Sequence, residues 1–278
     1  MPSSLADLDV ALIRADNPSP LTLTGTNTYV IGREPAWVID PGPDLASHIS
    51  AVRAELDARG GLSGIALTHG HSDHADAVPA LIGNAAASDG GAAPGAASGS
   101  ASGGSPTVPV VRGAADGAAV GPLEAIALPG HAPDHVCFAL GDVCFTGDAV
   151  LGSGSVFIAP DPGAMGSYLA GLERLRARRF ALLAPGHGPL IEDADAKLQE
   201  YLDHRRDRER RLAAALDDGA RSIEALLDAA WDDVPDTLRL PATVTLFAHL
   251  DKLAEEGRVP PGVESRPEWF SQIGRHAH

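Results

Sequence analysis

The chain has 278 residues, 44% of them hydrophobic and 21% charged, which is enough to bury a sizeable core and fits one large domain or one domain with a small appendage. No apolar run approaches about eighteen residues, so no membrane-spanning helix is expected, and two cysteines cannot build a disulfide framework. A net charge of −16 repels polyanions at long range, which disfavours non-specific nucleic-acid binding but leaves room for a local basic patch.

Residues Met1 to Asp16 lack a basic segment followed by an apolar run, so no secretory signal is expected and the cytoplasm is the expected location. Asn27–Ile31 and Ala36–Asp40 are β-branched and aromatic runs that read as strands, separated by Gly32 to Pro35. Asp40-Pro41-Gly42-Pro43 stops the second. His48 to Arg59 has helical spacing through Ile49, Val52 and Leu56. Gly64–Leu67 reads as a short buried strand, and Thr68-His69-Gly70-His71-Ser72-Asp73-His74 begins where it ends. This order of strand, helix and strand points to an α/β layered core.

From Gly83 to about Pro106 the chain is Ala, Gly and Ser with almost no large apolar residue. Such a segment cannot offset its own ordering entropy and is expected to be a flexible insertion away from the chemistry. The interrupted element resumes at Val108–Val111. Ala125–Leu128 is a strand leading into Pro129-Gly130-His131. Val136–Leu140 and Val143–Gly147 form a hairpin over Gly141-Asp142 that ends at Asp148. In that register Cys144 faces Ala139 and Cys137 is diagonal to it, too far for a bridge. Both cysteines read as small buried hydrophobes in a reducing compartment, with a ligand role the less favoured alternative. Tyr168 to Arg179 is a helix, and Ala181–Ala184 is a strand ending at Pro185-Gly186-His187-Gly188. Four strands thus deliver a metal-type residue at their C-terminal ends, as when one sheet edge assembles a site from distant pieces.

After His187 the pattern turns helical: Asp193 to Leu216, rich in arginine (Arg205, Arg206, Arg208, Arg210, Arg211), then Ser222 to Trp231 and Thr243 to Glu256, with Gly257-Arg258-Val259 as the start of a small wing. The expected organisation is a catalytic domain over residues 1–195 and a winged-helix-like domain over 196–278. Such modules often bind nucleic acid, but the acids here (Asp228, Asp232, Asp233, Asp236, Glu255, Glu256) make a packing or dimerising role at least as fitting.

Three imidazoles and a carboxylate between His69 and His74 are the donor density a pair of divalent metals requires. His69 and His71 are two apart, so in extended backbone their rings point the same way. Asp73 and His74 open a helix, with Ser72 as its N-cap, and project from another direction. One segment thereby supplies two ligands to each of two adjacent metals. The competing reading is a polar loop with solvated histidines.

His69-Gly70-His71-Ser72-Asp73-His74, Pro129-Gly130-His131, Thr146-Gly147-Asp148 and Pro185-Gly186-His187-Gly188, in this order, resemble the metallo-β-lactamase superfamily over nearly the whole chain. The flanks Gly25-Thr26-Asn27-Thr28-Tyr29, Asp40-Pro41-Gly42 and Tyr201-Leu202-Asp203-His204-Arg205 resemble its lactamase-beta-like protein 2 subgroup, which pairs the fold with a winged-helix-like tail; the Ala/Gly/Ser insertion departs from that pattern. The resemblance implies an αβ/βα sandwich with two metals at one sheet edge. By position, His69, His71 and His131 would hold the first metal, Asp73, His74 and His187 the second, and Asp148 would bridge them. Nitrogen and oxygen donors without sulfur suit two zinc ions, with iron or manganese also compatible.

The implied chemistry is hydrolysis by a hydroxide shared between the metals, with the metals stabilising the developing oxyanion and Asp73 orienting the nucleophile or accepting its proton. Asp40 and Asp134 are candidate acceptors for ligand imidazole N–H groups, or plain turn residues. His135 is near the site or structural. His48, His204, His249, His276 and His278 are expected on the surface or in helices, and Gly152–Phe157 is a turn or a loop placed to touch substrate. The favoured function is hydrolysis of an ester or thioester, including acyl groups on carrier proteins, with a small-molecule or acyl partner, no membrane partner and a homo-oligomer as an open alternative. Cleavage of single-stranded RNA is the second reading, needing a basic groove from Arg205 to Arg211. A non-catalytic, metal-stabilised binding module is the third. β-Lactam hydrolysis is less expected, since a chain without an export signal would not meet the drug early.

Overall fold

The computed structural model describes residues 4–83, 108–267 and 270. The expected insertion, apart from Gly83, lies outside the described residues, as do His276 and His278. The first sheet begins with β1 (Val10–Arg14), β2 (Asn27–Ile31) and β3 (Ala36–Ile39), paired antiparallel. Helix α1 (Ala46–Ala58) then crosses over to β4 (Leu62–Ala66), which lies parallel to β3, a connection that parallel pairing demands. The short helices α2 (Ser72–Ala75) and α3 (Val78–Ile82) follow, and β5 (Val110–Val111) completes the order β1-β2-β3-β4-β5. Val52 and Leu56 of α1 cover Val30, Val38 and Ile65 on the outer face of this sheet.

The second sheet contains β6 (Ala119–Val120), β7 (Leu123–Ala127), β8 (Val136–Leu140) and β9 (Val143–Gly147). After α4 (Ala164–Arg178), β10 (Leu182–Pro185) joins β9 in parallel, giving the order β10-β9-β8-β7-β6. Strand side chains alternate between faces with period two. Phe138, Val143 and Phe145 therefore point inward to meet Tyr29, Ile31 and Ile39 of the first sheet, with Tyr29 and Phe145 edge to face at 4.9 Å. Cys137, Cys144 and Leu183 point outward beneath Met165, Tyr168 and Leu172 of α4. Ala139 pairs with Cys144 as the hairpin register required, and both cysteines are free and buried. The layers are helix, sheet, sheet, helix: the αβ/βα sandwich.

The chain then forms α5 (Ala194–Asp217), α6 (Ile223–Ala230), a 3-10 turn (Asp236–Leu238) and α7 (Arg239–Glu255). Asp193 and Ser222 cap the first two by accepting from the backbone N–H of Ala196 and Ala225. Helix α7 starts four residues before the expected Thr243, because Pro241 sits in its first turn, where a missing N–H costs no helical bond. Helix α5 belongs to two cores. Leu198, Tyr201 and Leu202 sit with α4 in the sandwich, while Leu212 and Leu216 join Leu226, Trp231, Leu246 and Phe247 in the C-terminal module. In the expected wing, the described residues after Gly257 form no strand; Arg258 N–H donates to Leu253 and Glu264 N–H to Arg221 instead, each at 2.8 Å. No described helix is long and apolar enough to cross a membrane.

Candidate metal centre

The ends of four strands meet at one rim of the sandwich: β4 leads to His69, β7 to His131, β9 to Asp148 and β10 to His187. Backbone bonds lock these ends together. Val136 N–H donates across the sheets to Thr68 C=O at 2.7 Å, and Asn27 N–H to Gly186 C=O at 2.8 Å. The Asn27 side chain donates to the carbonyls of Pro185 and Gly188, both at 2.9 Å, and Tyr29 O–H to Pro185 at 2.7 Å. The Asn27-Thr28-Tyr29 run is thus a clamp on the turn that presents His187. Gly186 is needed for close approach, since a Cβ there would lie 2.7 Å from both Asp148 Oδ1 and His74 Cε1.

All seven expected donors converge. Their ligand atoms fall into three overlapping sets, each within 4.8 Å: His69, His71 and His131; His69, His74 and Asp148; Asp73, His74 and His187. His71 Nδ1 is 2.9 Å from His69 Nε2 and 3.0 Å from His131 Nε2. His74 Nε2 is 3.3 Å from His187 Nε2. Asp148 spans the two groups: Oδ1 lies 3.4 Å from Nε2 of both His74 and His187, and Oδ2 lies 3.6 Å from His131 Nε2. Asp73 Oδ2 is 3.2 Å from His187 Nε2.

Acceptors behind the rings fix where their protons sit. His74 Nδ1 donates to Asp40 Oδ2 at 2.8 Å, and His131 Nδ1 to Phe157 C=O at 3.1 Å. His187 Nδ1 faces Gly25 C=O at 3.4 Å. Thr68 O–H donates to Asp40 Oδ2 at 2.6 Å, so its oxygen accepts from His69 Nδ1 at 3.0 Å. With Nδ1 protonated, His69 and His131 point Nε2 lone pairs inward, His71 turns its Nδ1 toward both, and Asp148 Oδ1 is buried there without a partner in hydrogen-bond geometry. Facing lone pairs and an unsatisfied carboxylate oxygen repel until a cation lies between them. The donor set therefore fits divalent metal ions.

Burial pushes His69 well below the ordinary imidazole range, and burial with the neighbouring His131 takes His71 down to about 4. Burial lowers His131 too. In the other group burial is outweighed: Asp148 and Asp40 raise His74 well above its usual range, and Asp148 with Asp73 lifts His187 to about 9. Asp148 is held well below the usual carboxylate range because His74 and His187 overcome the effect of burial.

Other expectations resolve differently. Ser72 does not cap α2; His71 takes that position without a side-chain bond, since its imidazole is turned into the cluster. Of the two candidate acceptors, Asp40 serves His74 directly and His69 through Thr68, whereas Asp134 pairs with Arg112 at the surface. His135 is buried and accepts from the Asp148 backbone N–H at 3.2 Å; burial takes it down to about 3. His48 and His249 are in helices, one of the two expected placements, and are buried there. The arginines of α5 do not form an open basic groove: Arg206 pairs with Glu173, Arg208 with Asp233, Arg210 with Asp207 and Arg211 with Asp232, while Arg205 is buried. Thr245 gave no motif signal, and Thr68, Phe157 and Arg205, though they lie in segments the motifs singled out, were given no supporting role.

A cavity of about 560 Å³ opens from the cluster toward the C-terminal module. His71, Asp73, His131, Asp148 and His187 form one end. Leu21, Leu23, Trp231, Val234, Leu238 and Pro241 supply apolar walls, and the 152–157 loop contributes Ser153 to Phe157.

Residues 21–187 match the family model described as the metallo-beta-lactamase superfamily, and residues 222–262 match the beta-lactamase associated winged helix domain. The chain belongs to the metallo-beta-lactamase superfamily. It is 33% identical to the lactamase-like protein adaB of Aspergillus niger, covering 94% of this chain and 86% of that protein. It is 30% identical to the lactamase-like protein aptB of Emericella nidulans, over 98% of this chain and 90% of that one. The fold is shared with a beta-lactamase domain protein from Burkholderia ambifaria (TM-score 0.68, 19% identity, 89% of this chain and 86% of that one). It is also shared with a metallo-beta-lactamase family protein from Thermus thermophilus (TM-score 0.64, 21% identity, 89% and 94%).

Proposed function

We propose that this chain is a dinuclear metal-dependent hydrolase of an ester or thioester, including acyl groups carried on a protein. The observation that carries this reading is the inward convergence of five imidazoles and two carboxylates, with the outer nitrogens of His69, His74 and His131 on acceptors. His69, His71 and His131 would hold one ion, Asp73, His74 and His187 the other, and Asp148 both; zinc suits this set, with iron or manganese as alternatives. Such a pair of ions, when bound, supplies Lewis-acid activation of water at neutral pH and positive charge for a developing oxyanion.

The chain's own residues do the rest. Asp40 keeps His74, and through Thr68 also His69, in the tautomer that presents Nε2. Asp73, about a quarter exposed at the cavity mouth, is placed to accept or hand on a proton at Oδ2. The apolar walls of the cavity favour an uncharged acyl body over a polyanion and exclude water from it. Pairing of Arg206, Arg208, Arg210 and Arg211 with acids counts against an RNA track. The free cysteines fit a reducing compartment such as the cytoplasm. A fluorogenic thioester and a labelled single-stranded RNA, assayed side by side with and without chelator, test the reading. Chelator-sensitive thioester turnover is expected. RNA cleavage without thioester turnover would reverse the ranking, and no chelator-sensitive activity on any ester, thioester or RNA would favour a binding module.

A further inference from the structure

Residues 152–158 have no regular secondary structure, so no ladder sets their path, and side chains from two helices of the C-terminal half set it instead. Tyr201 and Arg205 lie four apart on α5 and share a face. Tyr201 oxygen accepts from Leu151 N–H at 3.0 Å, and Arg205 donates to Ser155 Oγ at 2.9 Å and to the Val156 carbonyl. On α7, Thr245 Oγ1 accepts from Ile158 N–H at 3.2 Å. Arg205 and Thr245 thus bracket Phe157.

Phe157 is the residue whose carbonyl receives His131 Nδ1–H, and its ring packs on the same imidazole at 4.8 Å. The other inward-facing rings with a bound Nδ1 take their acceptors from the sandwich: Thr68, Asp40 and Gly25. Arg205 is 2% exposed, stacks over Tyr168 at 5.6 Å and has no acidic partner among the described residues. Burying a guanidinium without an anion is costly, so its place is explained by the loop carbonyl and hydroxyl it holds.

We propose that Arg205 and Thr245 are positioning residues for His131: the helical module holds the Val156–Ile158 segment so that the Phe157 carbonyl fixes the His131 ring and aims its Nε2 into the cluster. The C-terminal module is then a working part of one half of the centre and not of the other. This rests on the metal reading above.

The test is zinc titration of the full chain, stripped with chelator, by competition with a chromophoric indicator, for wild type, Arg205→Met, Arg205→Lys, Thr245→Val and Thr245→Ser. Thermal midpoints and long-range proton–nitrogen NMR of the histidine rings are recorded on the metal-free chains. Wild type should bind two equivalents. In Arg205→Met one equivalent should keep its affinity and the other should weaken about tenfold, the low end for loss of a ligand's outer support. His131 should lose its single Nδ1–H tautomer while His69, whose Nδ1–H is held by Thr68, keeps its own. Thr245→Val should weaken the same site, Thr245→Ser should restore it, and Arg205→Lys should fall between wild type and Arg205→Met. Unchanged affinities with only a lower thermal midpoint, or equal weakening of both sites, would overturn the inference. Wild type that binds no zinc would overturn it together with the metal reading, whereas two wild-type sites unaffected by these changes would sink the inference alone.

Discussion

The group formed by His69, His71 and His131 and the group formed by Asp73, His74 and His187 meet at Asp148, yet they differ electrically. In the first, three imidazoles crowd together with no carboxylate of their own, and burial keeps them neutral. In the second, Asp73, Asp40 and Asp148 surround two imidazoles and hold protons on them. The first group is ready to bind a cation at neutral pH, while the second must give up protons to do so. One short motif thus takes part in two groups with different electrical surroundings, because the acids are distributed unevenly around it.

The largest expected effect comes from removing what the two groups share. Asp148→Ala should abolish tight binding of both ions and lower turnover by roughly a thousandfold or more; elemental analysis with the thioester assay checks this, and two retained ions would end the bridging role. Next, His131→Ala and His187→Ala should each leave about one ion per chain, His131→Ala sparing the site that needs proton release. If either variant emptied both sites, the two groups would not be separable units.

A smaller effect is expected from Asp40→Asn, whose carboxylate supports one imidazole in each group. Zinc affinity should fall about 10- to 100-fold, more at the His74 site, where the contact is direct; a fall confined to the His69 site would contradict the wiring. The pH dependence sharpens the same contrast. In the metal-free chain His187 is raised to about 9, against about 6.5 when unfolded. Its contribution to stability is fully present below about pH 6.5 and is lost as the pH rises through about 9. Zinc affinity at that half should rise over the same window with release of protons, measurable by calorimetry in buffers of different ionisation enthalpy; release confined to the other half would reverse the assignment. The smallest effect is expected from Asp134→Ala, which breaks a surface pair with Arg112 and should cost less than about 1 kcal/mol with no change in metal affinity.

Much of this was legible in the chain. Strand ends followed by His69-Gly70-His71, His131, Asp148 and His187 announced a converging rim, although β4 lies in one sheet and β7, β9 and β10 run the same way in the other. Strand and helix periodicity pointed only to an α/β layered core; the αβ/βα sandwich was what the family resemblance of the motifs implied. Asp40 could be suspected as a support, but Asp134 looked equally suitable, since proximity in sequence does not tell which carboxylate faces inward. The support of His131 by Phe157, Arg205 and Thr245 was not readable: it uses a backbone carbonyl in an irregular loop and side chains as far as 87 positions along the chain from the atoms they hold. The cavity was equally hidden, as its walls come from residues as distant as Leu21 and Leu238.

The most direct measurement is zinc titration of chelator-stripped chain followed by hydrolysis of a thioester at each step. Turnover should be absent at the start and reach its plateau at two equivalents. Full turnover by the metal-free chain, or saturation with no more than one ion bound, would contradict the dinuclear centre.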